Sequence, residues 1–286
     1  MNIAFIGLGV MGYPMAGFQQ QAGNNVCVFN RTVSKAQKWA DEYGGRFAET
    51  PREASQNADV VMVCVGNDND VRSVIYGDDG ILAGLQAGAF VVDHTTTSYE
   101  LALELQEACD EQGVGFMDAP VSGGQAGAEG GVLAVMMGAD EASLATVKPA
   151  IEPYAKTITR MGDVGAGQMT KMVNQILIGG VLQGISEGFT LARKANLDLP
   201  KVIDAIAQGA AGSWQLSNRG LNIDKGIFDY GFAVDWMCKD LGFCLDAAKG
   251  LGLELPNTQY VADRYKELQA RGYNREDTSA LIKQFD

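Results

Sequence analysis

The chain has 286 residues, 47% of them hydrophobic, which is enough to bury a large core and form two domains. Its 22 basic and 35 acidic residues give a formal net charge of −13, which argues against nucleic acid and anionic membranes as default partners. The chain shows no secretory signal and no membrane-length apolar run, and its five cysteines are scattered without a Cys-x-x-Cys pair, so we expect a cytoplasmic protein with reduced thiols.

The first predicted strand, Ile3–Ile6, runs directly into a glycine-rich turn that opens a predicted helix over 14–22. The turn comprises Gly7, Leu8, Gly9, Val10, Met11 and Gly12, a G-x-G-x-x-G pattern. Its first glycine permits the tight turn, the second lets the backbone approach a diphosphate, and the third allows close packing of helix on strand. Free N–H groups at the helix N-terminus would hold the diphosphate. We therefore predict a dinucleotide site.

The second predicted strand, over 26–29, ends at Asn30, Arg31 and Thr32. NAD-preferring sites place an Asp or Glu here to bind the ribose 2′-hydroxyl. A neutral amide does not repel a 2′-phosphate, and a guanidinium with a hydroxyl can bind one. These three residues predict NADP as the preferred cofactor, with NAD as the alternative. The alternative is that Arg31 and Thr32 simply begin the next loop and helix.

Strand-like and helix-like segments alternate as far as residue 162. Further strands are predicted over 60–65, 90–93, 115–118, 132–137 and 157–160, with helices such as 34–43 and 99–112 between them. Continuous apolar strands alternating with amphipathic helices indicate a doubly wound parallel sheet. We predict an α/β fold whose first domain, residues 1–162, is a Rossmann-type dinucleotide-binding domain.

The remaining residues, 163–286, are predicted to form an all-α domain for substrate binding and oligomerisation. A glycine-rich hinge over 162–167 precedes a long helix over 168–194, and further helices are predicted over 200–210, 232–250 and 257–271. The long helix joins the two domains. Glycines within it permit another backbone to approach, so we expect other helices to wrap it and the chain to form a homodimer or homotetramer.

Several chemistries are excluded by the residues that the chain lacks. His94 is its only histidine, lies beside no nucleophile motif, and is interpreted as structural. No Tyr-x-x-x-Lys pair, no Gly-Lys dipeptide and no plausible zinc ligands occur, so we expect no metal site. A nicotinamide-dependent oxidoreductase still needs a group that moves a proton to or from the substrate oxygen.

Lys171, about one turn into the long helix, is the best remaining proton donor. Burial and the positive end of the helix dipole both disfavour a charged amine there. Asn174 and Gln175 follow three and four residues later on the same helix face, and either can hold the substrate oxygen or the lysine. Taken alone, Lys171 also fits an ordinary surface lysine.

The segment 118–124, Asp-Ala-Pro-Val-Ser-Gly-Gly, favours the catalytic interpretation of Lys171. It follows a strand and ends in Ser122, Gly123 and Gly124, whose backbone N–H groups and hydroxyl form a suitable nest for a carboxylate. The alternative is a glycine-rich turn that binds nothing.

With these motifs the chain resembles the β-hydroxyacid dehydrogenase family over essentially its whole length. Four motifs match in order: residues 7–12, residues 118–124, Gly165-Ala166-Gly167 with Lys171 and Asn174, and Lys239-Asp240. The resemblance departs at Gln175, where many members carry a second asparagine.

The resemblance implies that Lys171 is the general acid/base, that Asn174 positions the substrate or the lysine, and that Ser122, Gly123 and Gly124 hold the substrate carboxylate. It also implies that Lys239, Thr96, Val65 and Gly66 contact the cofactor.

We therefore predict an NADP-preferring enzyme that interconverts a small β-hydroxy acid, such as 3-hydroxyisobutyrate, and its semialdehyde. The alternatives are a reductase of succinic semialdehyde, glyoxylate or another small carbonyl, and a non-catalytic NADP(H)-binding regulatory module. The expected partner is a small carboxylate-bearing molecule. Neither its identity nor the physiological direction follows from the sequence.

Overall fold

The computed structural model describes residues 1–286, with nine strands and thirteen α-helices. The strands are β1 (Asn2–Ile6), β2 (Asn25–Phe29), β3 (Arg46–Phe47), β4 (Val60–Val63), β5 (Phe90–Asp93), β6 (Gly115–Asp118), β7 (Val121–Ser122), β8 (Leu133–Gly138) and β9 (Ala155–Gly162). The helices are α1 (Gly12–Gln21), α2 (Val33–Tyr43), α3 (Pro51–Ser55), α4 (Asp68–Ile75), α5 (Ile81–Gly84), α6 (Tyr99–Asp110), α7 (Gly124–Glu129), α8 (Glu141–Ile151), α9 (Ala166–Lys194), α10 (Leu199–Ile206), α11 (Trp214–Lys225), α12 (Val234–Gly250) and α13 (Pro256–Ala270). None of these helices is long and apolar enough to cross a lipid bilayer.

The chain divides into two compact units, residues 1–171 and 172–286. The first unit holds one sheet of nine strands, in which β3, β2, β1, β4, β5 and β6 lie side by side and pair in parallel. This is the doubly wound order, in which the strand sequence reverses between β1 and β4. Beyond β6 the direction changes, because β8 pairs antiparallel with β6 and β7 and parallel with β9.

Alternate residues of the central strands face two separate cores. Ile3 and Phe5 of β1 pack into one apolar cluster, whereas Ala4 and Ile6 pack into the other. Because side chains alternate across a strand, a sheet covered on both faces needs apolar residues at every position. This requirement explains the continuous apolar runs of the predicted strands.

Several predicted elements end earlier or begin later than expected. The predicted strand over 60–65 stops at Val63, because the amide of Val65 leaves the ladder and donates to Thr95 Oγ1 at 3.1 Å. The predicted helix over 232–250 starts at Val234, because the amides of Phe232 and Val234 bond to residues 277 and 276. The helices predicted over 99–112 and 200–210 end at Asp110 and Ile206, where backbone turns follow.

The second unit is helical, as predicted. Phe189 of α9 packs with Leu199 and Ile203 of α10 and with Leu216 of α11 in one buried cluster. Side-chain caps begin two of these helices: Asp198 accepts from the amide of Lys201, and Ser213 Oγ accepts from the amide of Leu216 at 3.0 Å.

Within this chain, other helices pack closely on α9 at one of its glycines and leave one of its faces exposed. A Cβ at Gly179 would lie 3.4 Å from Val261 and 3.7 Å from Leu241, so this glycine does permit close packing. Apolar side chains at four other positions are exposed on this chain: Val173, Leu177, Val181 and Leu191. Nothing lies within 4 Å of a Cβ placed at Gly184 or Gly188. This exposed stripe is not covered by the chain's own helices.

Candidate active site

The glycine turn joins β1 to α1 at the point where the strand order of the sheet reverses. Gly7 has φ +100°, and a Cβ there would collide with the carbonyl oxygen of Cys64. A Cβ at Gly12 would collide with the carbonyl oxygen of Gly7, whereas nothing lies within 4 Å of one at Gly9. The turn is thus tightly packed on its protein side and open at Gly9.

The N-terminus of α1 offers no competing anion. No side chain caps it, and its first turn contains no Asp or Glu. The first N–H groups of a helix have no intrahelical acceptor, and the helix dipole favours an anion there. The open cradle at Gly9 and these donors together fit a diphosphate.

Asn30 braces the glycine turn. Its Oδ1 accepts from the amide of Leu8 at 3.0 Å, and its Nδ2 donates to the carbonyl of Thr32 at 3.1 Å. The side chain of Arg31 is 90% exposed and lies 3.5 Å from Oδ1 of Asp70. The guanidinium is therefore exposed to solvent and lies opposite the carboxylate of Asp70.

Two loops follow the neighbouring strands β4 and β5. Val65 and Gly66 are half-buried, and Val65 is held by the hydroxyl of buried Thr95. Thr96 is half-buried between Thr95 and Thr97, which are both buried. The sheet therefore brings the glycine turn, Val65, Gly66 and Thr96 to its carboxyl edge, because parallel strands end on the same side.

Ser122, Gly123 and Gly124 lie at the turn from β7 into α7. Gly123 has φ +135° and Gly124 has φ +60°, conformations that L side chains rarely adopt. A Cβ at Gly124 would meet nothing within 4 Å, so its backbone faces open space. Ser122 is half-buried, and its backbone pairs with Ala134 of β8.

Lys171 lies in the second turn of α9 and is only 8% exposed. Its Nζ donates to the carbonyl of Val121 at 2.9 Å. Val121 immediately precedes Ser122, so the amine lies beside the 122–124 turn. A buried ammonium next to exposed backbone donors can neutralise a carboxylate and donate a proton to an oxygen.

In the second unit a series of hydrogen bonds and an ion pair links Asn174 to Lys239. Nδ2 of Asn174 donates to Oε1 of Gln175 at 2.7 Å, and Nε2 of Gln175 donates to Oδ2 of Asp240 at 2.6 Å. Nζ of Lys239 lies 3.1 Å from Oδ1 of Asp240. Gln175 is buried with both amide atoms bonded, whereas Asn174 is half-buried.

His94 has the environment of a structural histidine. Its Nδ1 lies 2.7 Å from the carbonyl oxygen of Ala119, and its Nε2 lies 2.8 Å from the hydroxyl of Tyr154. A carbonyl only accepts, so Nδ1 carries a proton. Burial lowers the pKa of His94 to about 4.

Two polar side chains near Lys171 were not singled out from the sequence. Asp118, at the end of β6, accepts from the amides of Gly165 and Gln168, each at 2.7 Å. The side chain of Gln168 is bonded to Thr95 and Thr97. The polar residue at the end of a buried strand was a visible signal for Asp118, whereas no local pattern marks the target of Gln168.

The fold and the glycine turn fit a dinucleotide-binding protein, and comparison with known proteins places the chain among oxidoreductases. Residues 2–162 match the family model of the NAD binding domain of 6-phosphogluconate dehydrogenase, and residues 165–285 match the model described as NAD-binding of NADP-dependent 3-hydroxyisobutyrate dehydrogenase. The chain belongs to the β-hydroxyacid dehydrogenase family, the NAD(P)-dependent oxidoreductases of the 3-hydroxyisobutyrate dehydrogenase type.

Its similarity to individual members extends over whole chains. It is 52% identical to an uncharacterized oxidoreductase of Shewanella frigidimarina strain NCIMB 400, covering 100% of this chain and 98% of that protein. It is 34% identical to the 2-hydroxy-3-oxopropionate reductase of Escherichia coli K12, covering 99% and 96%. The solved structure of Mycobacterium tuberculosis 3-hydroxyisobutyrate dehydrogenase with L-serine superposes with a TM-score of 0.88 at 32% identity, covering 99% and 98%.

Proposed function

We propose that this protein is an NADP-preferring dehydrogenase that interconverts a small β-hydroxy acid of the 3-hydroxyisobutyrate type and its semialdehyde, with Lys171 as general acid/base. The burial of Lys171 beside the 122–124 turn carries the proposal. A solvated helix lysine would be exposed, whereas this ammonium is 8% exposed and donates to the carbonyl of Val121. It lies beside backbone that remains open at Gly124.

Cofactor binding is assigned to the glycine turn and the loops beside it. The diphosphate would be held by residues 7–12 and by the uncapped N-terminus of α1. The rest of the cofactor would be contacted by Val65, Gly66, Thr96 and Lys239. A bound nicotinamide supplies the hydride that reduction requires. The NADP preference is supported by Arg31, whose exposed guanidinium can bind a 2′-phosphate, and by the absence of a carboxylate at Asn30.

Substrate orientation is assigned to Ser122, Gly123 and Gly124. Gly123 and Gly124 have positive φ and exposed backbone, and a carboxylate bound at their N–H groups would also face the Lys171 ammonium. The hydroxyl of Ser122 adds a further donor. These groups would fix the carboxylate so that the carbonyl at the β carbon reaches Lys171.

Between Asn174 and Gln175, we assign the substrate contact to Asn174. Gln175 is buried, donates to Asp240 and accepts from Asn174. Because the Asp240 carboxylate only accepts, Gln175 must donate to it and present its oxygen to Asn174. Asn174 then uses its NH₂ group toward Gln175, and we assign its Oδ1, which can only accept, to a hydroxyl or ammonium donor.

In the reducing direction, Lys171 would protonate the carbonyl oxygen as charge develops on it. In the oxidising direction, its neutral amine would accept the hydroxyl proton. Asn174 Oδ1 would hold that hydroxyl or the lysine itself. Ser122, Gly123 and Gly124 keep the carboxylate bound in both directions, so the residues contribute positioning and one proton transfer.

The test is initial-rate kinetics with NADPH, NADP, NADH and NAD on a matched panel of small semialdehydes and β-hydroxy acids. We expect one preferred pair and a higher kcat/KM with the phosphorylated cofactor. Lys171→Met should lower kcat by about 10²–10⁴ while the Kd for NADPH stays nearly unchanged. Lys156→Met, an exposed lysine on β9, is the matched control and should behave as wild type.

The outcomes separate the alternatives. Near-wild-type turnover by Lys171→Met would refute its role. Tight NADPH binding without turnover on any panel member would favour the non-catalytic regulatory module. Comparable kcat/KM values with NADH and NADPH would refute the cofactor preference. A preferred substrate without a carboxylate would refute the assignment of residues 122–124.

A further inference from the structure

Gln168 sits in the first turn of α9, three residues before Lys171, and its side chain is fully buried. Its Nε2 donates to the carbonyl of Thr95 at 2.7 Å, and its Oε1 accepts from the amide of Thr97 at 3.1 Å. These two backbone groups flank Thr96. A single amide side chain therefore holds the loop after β5 from both sides of the residue assigned to the cofactor.

The backbone of the same turn is held by Asp118. Its Oδ1 accepts from the amide of Gly165 and its Oδ2 from the amide of Gln168, each at 2.7 Å. These amides belong to a helix start and would otherwise have no acceptor. A Cβ at Gly167 would lie 2.7 Å from Oδ2, so this glycine is what allows the carboxylate to come so close.

The contacts continue toward the loop after β4. The hydroxyl of Thr95 accepts from the amide of Val65 at 3.1 Å, and the amide of Thr95 donates to Oδ1 of Asp93 at 2.9 Å. One connected set of hydrogen bonds thus runs from Val65 through Thr95 to Gln168. The helical turn that starts at Gln168 carries Lys171.

We propose that Gln168 is a positioning residue that fixes the Lys171-bearing turn of α9 relative to the cofactor loop 95–97, with Asp118 anchoring the backbone of that turn. This assignment rests on the proposed function of Lys171 and Thr96. Its physical basis is that the carbonyl of Thr95 needs a donor and the amide of Thr97 needs an acceptor, and a glutamine side chain supplies both. An error of about 1 Å in the placement of reacting groups can cost about 10²-fold in rate.

The decisive variant is Gln168→Glu. An ionised carboxylate can accept from Thr97 but places a second acceptor against the carbonyl of Thr95, whereas a protonated carboxyl supplies one donor and one acceptor. Because burial at this fully enclosed position raises the pKa of a carboxyl group, we expect kcat of Gln168→Glu to fall about 10- to 100-fold below wild type at about pH 8 and to recover toward wild type as the pH falls to about 6. Gln168→Met has neither group and should stay low at both pH values.

Gln19→Met is the matched control. Gln19 is also a fully buried glutamine of the first unit, and its amide is bonded to the carbonyl of Ala150 rather than to the 95–97 loop or to α9. It should lose stability without a pH-dependent loss of kcat. A Gln168→Glu profile parallel to that of wild type, or an equal loss of kcat in Gln19→Met, would overturn the proposal.

Hydrogen–deuterium exchange gives a readout that does not depend on turnover. In Gln168→Met we expect faster exchange in peptides covering 94–98 and 164–171 together, with exchange at 2–6 unchanged. Unchanged exchange with kcat within about threefold of wild type would overturn the positioning role. If wild type turns over no panel substrate, the proposed function fails. If both peptides nevertheless exchange faster together in Gln168→Met, the structural role of Gln168 in holding loop 95–97 against α9 is still supported.

Discussion

The proposed preference for NADP depends chiefly on Arg31. Its guanidinium is exposed and lies 3.5 Å from Oδ1 of Asp70, in the first turn of α4. An exposed pair at this distance is weak, because water and salt screen it. A 2′-phosphate would compete with Asp70 for the same guanidinium, and the Asp70 carboxylate would also repel it.

Asp70→Asn should therefore strengthen binding of NADPH and leave binding of NADH unchanged. We expect the Kd for NADPH to fall about three- to tenfold at low ionic strength, with a smaller change at high salt. Fluorescence titration of both cofactors measures the effect. Asp110→Asn, an equal charge change at the end of α6, is the control. Equal changes for NADPH and NADH would contradict the assignment of Arg31.

His94 couples the stability of the first unit to pH. Burial lowers its pKa from 6.5 to about 4, so the folded chain holds it neutral while the unfolded chain protonates it below about pH 6.5. The unfolded state then binds more protons, and the free energy of unfolding falls as pH falls. Asp118 acts in the opposite direction, because burial raises its pKa to about 6 and its protonation favours the folded state.

Comparison of wild type with His94→Asn isolates the histidine from Asp118. Between about pH 6.5 and pH 4 wild type should lose about 3 kcal/mol more unfolding free energy than the variant. Urea denaturation at a series of pH values measures the difference. The variant should be less stable at neutral pH, since it loses a partner of Ala119 or Tyr154. Parallel pH profiles would show that His94 is not the responsible group.

At the scale of elements, the central strands and long helices were predictable because their patterns are local. The continuous apolar runs within Ile3–Ile6 and Phe90–Asp93 and the glycine turn at 7–12 each indicate their structure within a few residues. Short helices such as α3 and α5 were missed, because four or five residues carry too little periodicity. The end of β4 also depended on the contact of Val65 with Thr95, thirty residues later in the chain.

The candidate site was likewise predictable where its signals are local and unpredictable where they depend on distant residues. Residue types near Lys171 and at 122–124 suggested their chemistry directly. The use of Asn30 to brace Leu8 and of Gln168 to hold Thr95 and Thr97 did not follow from the sequence, because an amide reveals nothing about a distant backbone partner. The orientation of Asn174 likewise required the position of Asp240, 66 residues away along the chain.

At the scale of the whole molecule, the exposed stripe on α9 argues for self-association. Val173, Leu177, Val181 and Leu191 expose between 36% and 72% of their surface on one helix. Their spacing follows helical periodicity, so they share a side of α9. Contiguous exposed apolar surface of this kind is typical of interaction sites, and we propose that a second copy of this chain covers it.

Light scattering should therefore give a mass at least twice the 30.4 kDa of one chain. Leu177→Glu should lower the association constant at least about tenfold, since a charge would be buried unpaired in the interface. Leu103→Glu, on the exposed side of α6, is the control and should leave the mass unchanged. A monomeric mass for wild type would refute self-association.

The parallel strands β1 to β6 have a further consequence for how the first unit tolerates change. All the loops assigned to cofactor and substrate leave the carboxyl edge of the sheet, while the turns at 23–24, 57–59, 88–89 and 113–114 lie at the opposite edge. These turns carry no assigned chemistry. Evolutionary drift, peptide insertions and fused reporter domains should therefore be accommodated at the amino edge without loss of turnover.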